Sequence, residues 1–181
     1  HVGDLSASNL IDGNFNTAVS NARAGSDVTG DDINKYIPRA KIGVGNYLYV
    51  WAAATYSGGW RFTGANYYSI AQVTNLNSAN YGVPVASKGL TVAQAYAIDS
   101  KMDDGLPDYG RVLSIYMANT GASQTAYWSN GSIGTYSQAP LAVGISPSSS
   151  TCYDNNGVST AVKKYTLSNG SELNCGLSIK F

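Results

Sequence analysis

Residues 89–112, GLTVAQAYAIDSKMDDGLPDYGRV, carry a helix start and a helix stop within a chain that otherwise reads as strand and turn. Thr91 is an N-cap type, and Gln94 stands three residues on, where a capping box places its reciprocal partner. Ala95, Ile98 and Met102 fall at i, i+3 and i+7, which predicts one apolar stripe. Asp103, Asp104 and Gly105 then end the helix. Gly105 is free to take the left-handed conformation of a C′ residue, and Pro107 cannot continue the helix. A helix bounded this sharply and flanked by strand patterns is expected to pack on a sheet. Its awkward feature is an acidic exit. Asp99, Asp103, Asp104 and Asp108 crowd the C-terminal end, where the macrodipole disfavours negative charge by a few tenths of a kcal/mol per residue.

The strands are marked by composition and alternation. Residues 46–56 and 60–74 are rich in Tyr, Trp, Val and Ile, with a Ser57, Gly58, Gly59 turn between them, and form the strongest hairpin signal in the chain; Gly64 marks a bulge. Pro38 keeps Ile37 extended. In the tail, residues 163–167 and 173–181 read as a second hairpin, with Leu177, Ile179 and Phe181 alternating with Gly176, Ser178 and Lys180. Residues 2–15 suggest a short amphipathic helix. Residues 16–32 and 75–88 read as loops, residues 111–118 as a mixed strand, and residues 119–151 as a long surface excursion. At 181 residues the chain fits one domain without an internal boundary or repeat.

Charge excludes several classes of function. Charged residues make up 12% of the chain, about half the usual share, and the 11 basic and 11 acidic residues cancel. No basic footprint for nucleic acid or an anionic membrane is present. The only histidine is His1, so Ser–His–Asp and Cys–His catalysis lack their base. The carboxylate pairs Asp31/Asp32 and Asp103/Asp104 are on loops and helix ends, where such pairs are usually solvated or capping groups rather than a glycosidase pair. The expectation is a protein that is not an enzyme.

Three groups of residues carry two readings each. Cys152 and Cys175 lack the companions of a metal site; they either close a C-terminal loop as a disulfide, as the secreted-looking composition suggests, or remain two thiols. Asp103, Asp104 and Asp108, with Asp99 beside them, offer hard oxygen ligands for Ca²⁺ around a glycine turn, or else cap backbone N–H groups and pair with Arg111 or Lys101. Trp51, Trp60 and Trp128 with the tyrosines form either a sugar-stacking platform or cross-strand core packing.

The central segment resembles bacterial prepilin-type proteins, through Leu90, Ala95, Ala97, Ile98, Asp99, Lys101, Asp103, Asp104, Gly105, Pro107, Gly110 and Val112. In the same order along the chain, Leu5 with Leu10, Ile11 and Gly13 is similar to the segment that precedes the family's globular region. Ile37, Pro38, Lys41, Ile42 and Gly43 are similar to its I-P-x-S-K-(L/I)-G stretch, and Cys152, Cys175 and the last strand to its C-terminal end. The resemblance implies an α+β, pilin-like head with an antiparallel sheet, one central capped helix and a disulfide-closed C-terminal region. It also implies a structural subunit of a type IV pilus-like or type II secretion-like filament, outside a bacterial cell, with a precursor anchored in the inner membrane. Its partners would be other pilin subunits. The hydrophobic helical stem of such subunits is not among these residues, so a longer precursor or a separate chain would supply it. No residue-level metal role carries over from the family. The alternative expectation is a secreted carbohydrate-binding or adhesin module.

Overall fold

The computed structural model describes residues 27–52, 55–56, 60–61, 65–78, 83–119, 124–132 and 143–181. The helix predicted at residues 2–15, the turn at residues 57–59 and the bulge at Gly64 lie outside them.

The fold is α+β, built on a six-stranded antiparallel sheet. Its axis is β5 (Asn66–Asn77), the longest strand. The predicted hairpin is present: β2 (Asn46–Ala52) pairs with β5 from Asn46 opposite Gln72 to Ala52 opposite Asn66. The short strands β3 (Thr55–Tyr56) and β4 (Trp60–Arg61) pair at its tip. β1 (Val28–Thr29) also pairs with β5 and leads into a 3-10 turn over Gly30–Lys35, so the predicted loop over residues 16–32 contains a strand at its end.

Two further stretches depart from the sequence-based expectation. Residues 75–88 are not a wandering loop. β5 runs on to Asn77, and β6 (Val83–Ser87) returns along it, with a register shift between Val73 and Asn75. Pro84 disguised this strand, since proline donates no ladder hydrogen bond. The predicted C-terminal hairpin is also absent. β11 (Lys164–Tyr165) pairs instead with β10 (Tyr153–Asp154), and a 3-10 turn over Leu167–Asn169 redirects the chain. β12 (Leu177–Lys180) then inserts between β5 and β7 (Val112–Leu113). Alternation alone could not foresee that position, because both faces of the sheet are covered where this strand begins: Leu177 and Ser178 are both fully buried. Within the expected surface excursion, β9 (Gln124–Trp128) forms a hairpin with β8 (Ile115–Asn119).

The two faces of the sheet differ. On one, Tyr47, Tyr49 and Trp51 of β2 align with Ala71, Ser69 and Tyr67 of β5, and all are buried. The β8–β9 hairpin covers this face. Its attachment is polar as well as apolar: the Tyr49 hydroxyl donates to the Met117 carbonyl (2.8 Å), and the Ser178 hydroxyl to the Ile115 carbonyl (2.6 Å). Trp51 stacks on Tyr67 at 4.5 Å and donates its ring N–H to Ser69, so Trp51 is core rather than platform; Trp128 is buried too. On the other face Val112, Leu177 and Ile70 are buried, but Val50, Tyr68 and Phe181 are exposed, with Tyr68 and Phe181 stacked at 4.2 Å.

The helix α1 (Val92–Met102) starts as expected. The Gln94 N–H donates to Thr91 Oγ1 (3.1 Å) and the Thr91 N–H to Gln94 Oε1 (3.0 Å). Such a cap stabilises by about 1 kcal/mol. Val92 and Ala93, whose N–H groups no helix carbonyl can serve, donate to the carbonyls of Glu172 and Gly170. The buried stripe is Val92, Ala95 and Asp99, not the predicted Ala95, Ile98 and Met102; Met102 is 56% exposed. The seven-residue spacing is right, but the stripe begins three residues earlier and ends on a carboxylate. Among the described residues, no helix is long and apolar enough to cross a membrane.

Candidate functional site: the acidic helix exit

The turn after α1 is made by two glycines. Gly105 (φ +74°) and Gly110 (φ +73°) are in the left-handed region, where a side chain is disfavoured. A Cβ on Gly110 would also fall 1.9 Å from an Asp103 carboxylate oxygen. The loop therefore folds tightly around the aspartates and turns its N–H groups onto them.

Each carboxylate has a defined partner. Asp99, fully buried, accepts from the Gly105 N–H (3.1 Å) and from the Tyr165 hydroxyl (2.9 Å). Asp103 Oδ2 accepts from the N–H groups of Arg111 and Val112, and Asp104 Oδ1 from the Leu106 N–H (2.8 Å). Asp108 faces Lys163, with Oδ2 and Nζ 2.9 Å apart and both side chains 3% exposed or less. The unfavourable macrodipole placement is thus offset by backbone donors and by one buried ammonium. The expected capping role holds, but the cationic partner is Lys163, in place of Arg111 or Lys101. Arg111 contributes its backbone N–H.

The electrostatics follow from burial. Desolvation pushes the Asp99 carboxyl up to about 7, against the lowering effect of its two hydrogen bonds, and the charges of Asp104 and Asp103 push the same way. Tyr165 is held well above the ordinary phenol range by burial, and further by the Asp99 charge. Of the predicted calcium set, Asp103 and Asp104 come together with Asp99: one oxygen of each lies within 4.8 Å of the others. Asp108 makes its contact with Lys163 instead. Oxygen triads suit hard cations, yet here the same carboxylates also serve the hydrogen bonds just described.

Behind this turn the C-terminal segment is closed by the disulfide between Cys152 and Cys175, which are fully buried with Cα atoms 5.1 Å apart. Leu90, just before the helix, exchanges both backbone hydrogen bonds with Cys175. Helix, disulfide and β10–β11 thus form one lobe. Lys163, Tyr165 and Tyr153 are the lobe residues that sequence reasoning missed. The available signal was period two: Lys163 and Tyr165 are buried on either side of exposed Lys164.

Compared with protein-family models, with curated proteins and with solved structures, the chain gives no match.

Proposed function

We propose that this chain is the globular head of a structural filament subunit of the type IV pilin or pseudopilin kind, working outside a bacterial cell in attachment, motility, DNA uptake or secretion. Its partners in this reading are other subunits, and its mechanism is assembly rather than catalysis. The observation that carries the reading is the asymmetry of the sheet. One face is closed by the β8–β9 hairpin, while the other leaves Val50, Tyr68 and Phe181 exposed beside half-buried Leu48 and Ile179. Such an apolar strip fits an apolar helical stem laid across it, whether the stem belongs to a longer form of this chain or to a partner. The disulfide-closed lobe supports the same reading, since it suits an oxidising compartment. The competing sugar-binding module draws no support from Trp51 and Trp128, which are core residues.

The test is immunogold electron microscopy of the native cells with antibodies to this chain, alongside a deletion strain. Labelling along surface filaments that vanish in the deletion strain is expected. Unlabelled filaments, unchanged in number by the deletion, would exclude the subunit role.

A further inference from the structure

Asp108 and Lys163 form the one ion pair among the described residues with both partners out of solvent. The chain near each is anchored. The Ser114 N–H bonds the carbonyl of Pro107, next to Asp108, and the Thr166 N–H bonds the carbonyl of Cys152, itself in the disulfide. A buried ion pair is well compensated only when its remaining lone pairs are hydrogen-bonded. Among the described residues, neither Asp108 oxygen takes a hydrogen bond from a further group, and the buried Tyr153 hydroxyl also lacks a hydrogen-bond partner. Tyr153 is close enough to Asp108 for its charge to add to the effect of burial in holding the phenol protonated.

Three consequences follow from general chemistry. At 2.9 Å a proton can pass directly from the ammonium to the carboxylate, giving amine and carboxylic acid. A neutral lysine is a nucleophile. Fixing it 2.9 Å from a carboxyl oxygen makes attack on that carboxyl effectively unimolecular. We propose that Lys163 and Asp108 condense into an intramolecular isopeptide bond. The ammonium passes one proton to the carboxylate, and the Lys163 Nζ lone pair attacks Asp108 Cγ. The tetrahedral intermediate then expels one carboxyl oxygen as water, which carries off two protons originally on the ammonium. A C–N bond forms, a C–O bond breaks, and no oxidant or co-reactant is needed. Tyr153 is the buried donor available to the oxyanion and then to the amide carbonyl. The product removes both buried charges and adds a second covalent tie to the disulfide-closed lobe. This inference does not depend on the filament reading.

Intact mass spectrometry of the purified chain, unfolded and with its disulfide reduced, tests it. The expected mass is one water below the sequence mass, and a tryptic digest should yield a branched peptide joining the Asp108 and Lys163 segments. Lys163→Arg and Asp108→Ala should each restore the full mass. A wild-type chain at full sequence mass would overturn the proposal. So would a water loss mapping to Asp104 and Gly105, where an aspartate before glycine cyclises to a succinimide. The wild-type spectrum decides the question whether or not the variants fold.

Discussion

Beneath the β8–β9 hairpin the buried polar groups described above are neutral and linked in series, whereas behind the helix exit they are ionisable and unevenly paired. In the sheet, Ser178 spends its single hydroxyl proton on the Ile115 carbonyl, so Ser69 must donate to Ser178, and Trp51 donates to Ser69. The direction of the whole chain is fixed by one acceptor. In the lobe, Asp99 has two good donors but sits where its charge is penalised, and Asp108 rests, among the described residues, on Lys163 alone. The difference is one of sensitivity. A neutral relay fixes the seating of the hairpin on the sheet under any ordinary condition, while an ionisable cluster makes the lobe's stability depend on pH and on each partner being present.

The widest separation between the two regions is expected from Lys163→Met. Whether Lys163 holds Asp108 as an ion pair or through the proposed amide, the variant leaves the Asp108 carboxyl group buried without its partner, and such losses cost about 3–5 kcal/mol or more. Denaturant unfolding should show a much lower midpoint at unchanged slope. A cost below about 0.5 kcal/mol, typical of a surface site, would put the lobe on the same footing as the exterior. The next effect is a pH dependence. The Asp99 carboxyl titrates at 3.8 when unperturbed and at about 7 in the fold, so between those values the folded chain holds a proton that the unfolded chain has lost. The Asp99 contribution to stability is therefore greatest below pH 3.8, falls as pH rises to about 7, and is level above that. Roughly three pH units of offset correspond to about 4 kcal/mol. Asp99→Asn, which cannot ionise, should abolish that slope and gain on the wild type as pH rises. Parallel pH profiles would show that Asp99 is not the responsible group.

Much of the lobe's framework was legible in the sequence, and its electrostatics were not. Thr91, Gln94 and Gly105 mark the helix because capping and left-handed turns are local events set by adjacent residues. The pairing of β2 with β5 was likewise legible, as a near-continuous aromatic run on both sides of a glycine turn. Lys163 and Tyr165 were hidden because their partners Asp108 and Asp99 are far away in the chain; only the strand pairing of β10 with β11 brings them to the helix exit. The insertion of β12 between β5 and β7 was hidden for the same reason. Its alternation is real, but Ser178 is as deeply buried as Leu177, and a serine on an inward face reads as solvent-facing until its partner hydroxyl at Ser69 is known.

Smaller effects sharpen the contrast from the other side. Replacing Cys152 and Cys175 together by alanine opens a covalent loop spanning 23 positions, worth roughly 3 kcal/mol in the chain-entropy account. The loss should appear in the melting temperature of the lobe, and reducing agent should then have no further effect. Reductant that still lowered the melting temperature of the double variant would show that it acts elsewhere.

Ser178→Ala probes the sheet. It leaves the Ser69 hydroxyl without its acceptor and the Ile115 carbonyl without its donor, both in a buried layer, for about 1–3 kcal/mol. No member of this relay changes charge in the acid range, so the cost should be constant across the pH window in which Asp99 titrates. If the cost varied with pH, the relay would be coupled to the ionisable lobe and the two regions would not be independent. Combining Ser178→Ala with Lys163→Met measures that coupling directly. The sheet relay and the lobe pair share no described partner, so their costs should add to within about 0.5 kcal/mol. A larger discrepancy would place the short segment from Cys175 in the lobe to Ser178 of β12 in the sheet as the path through which one region feels the other.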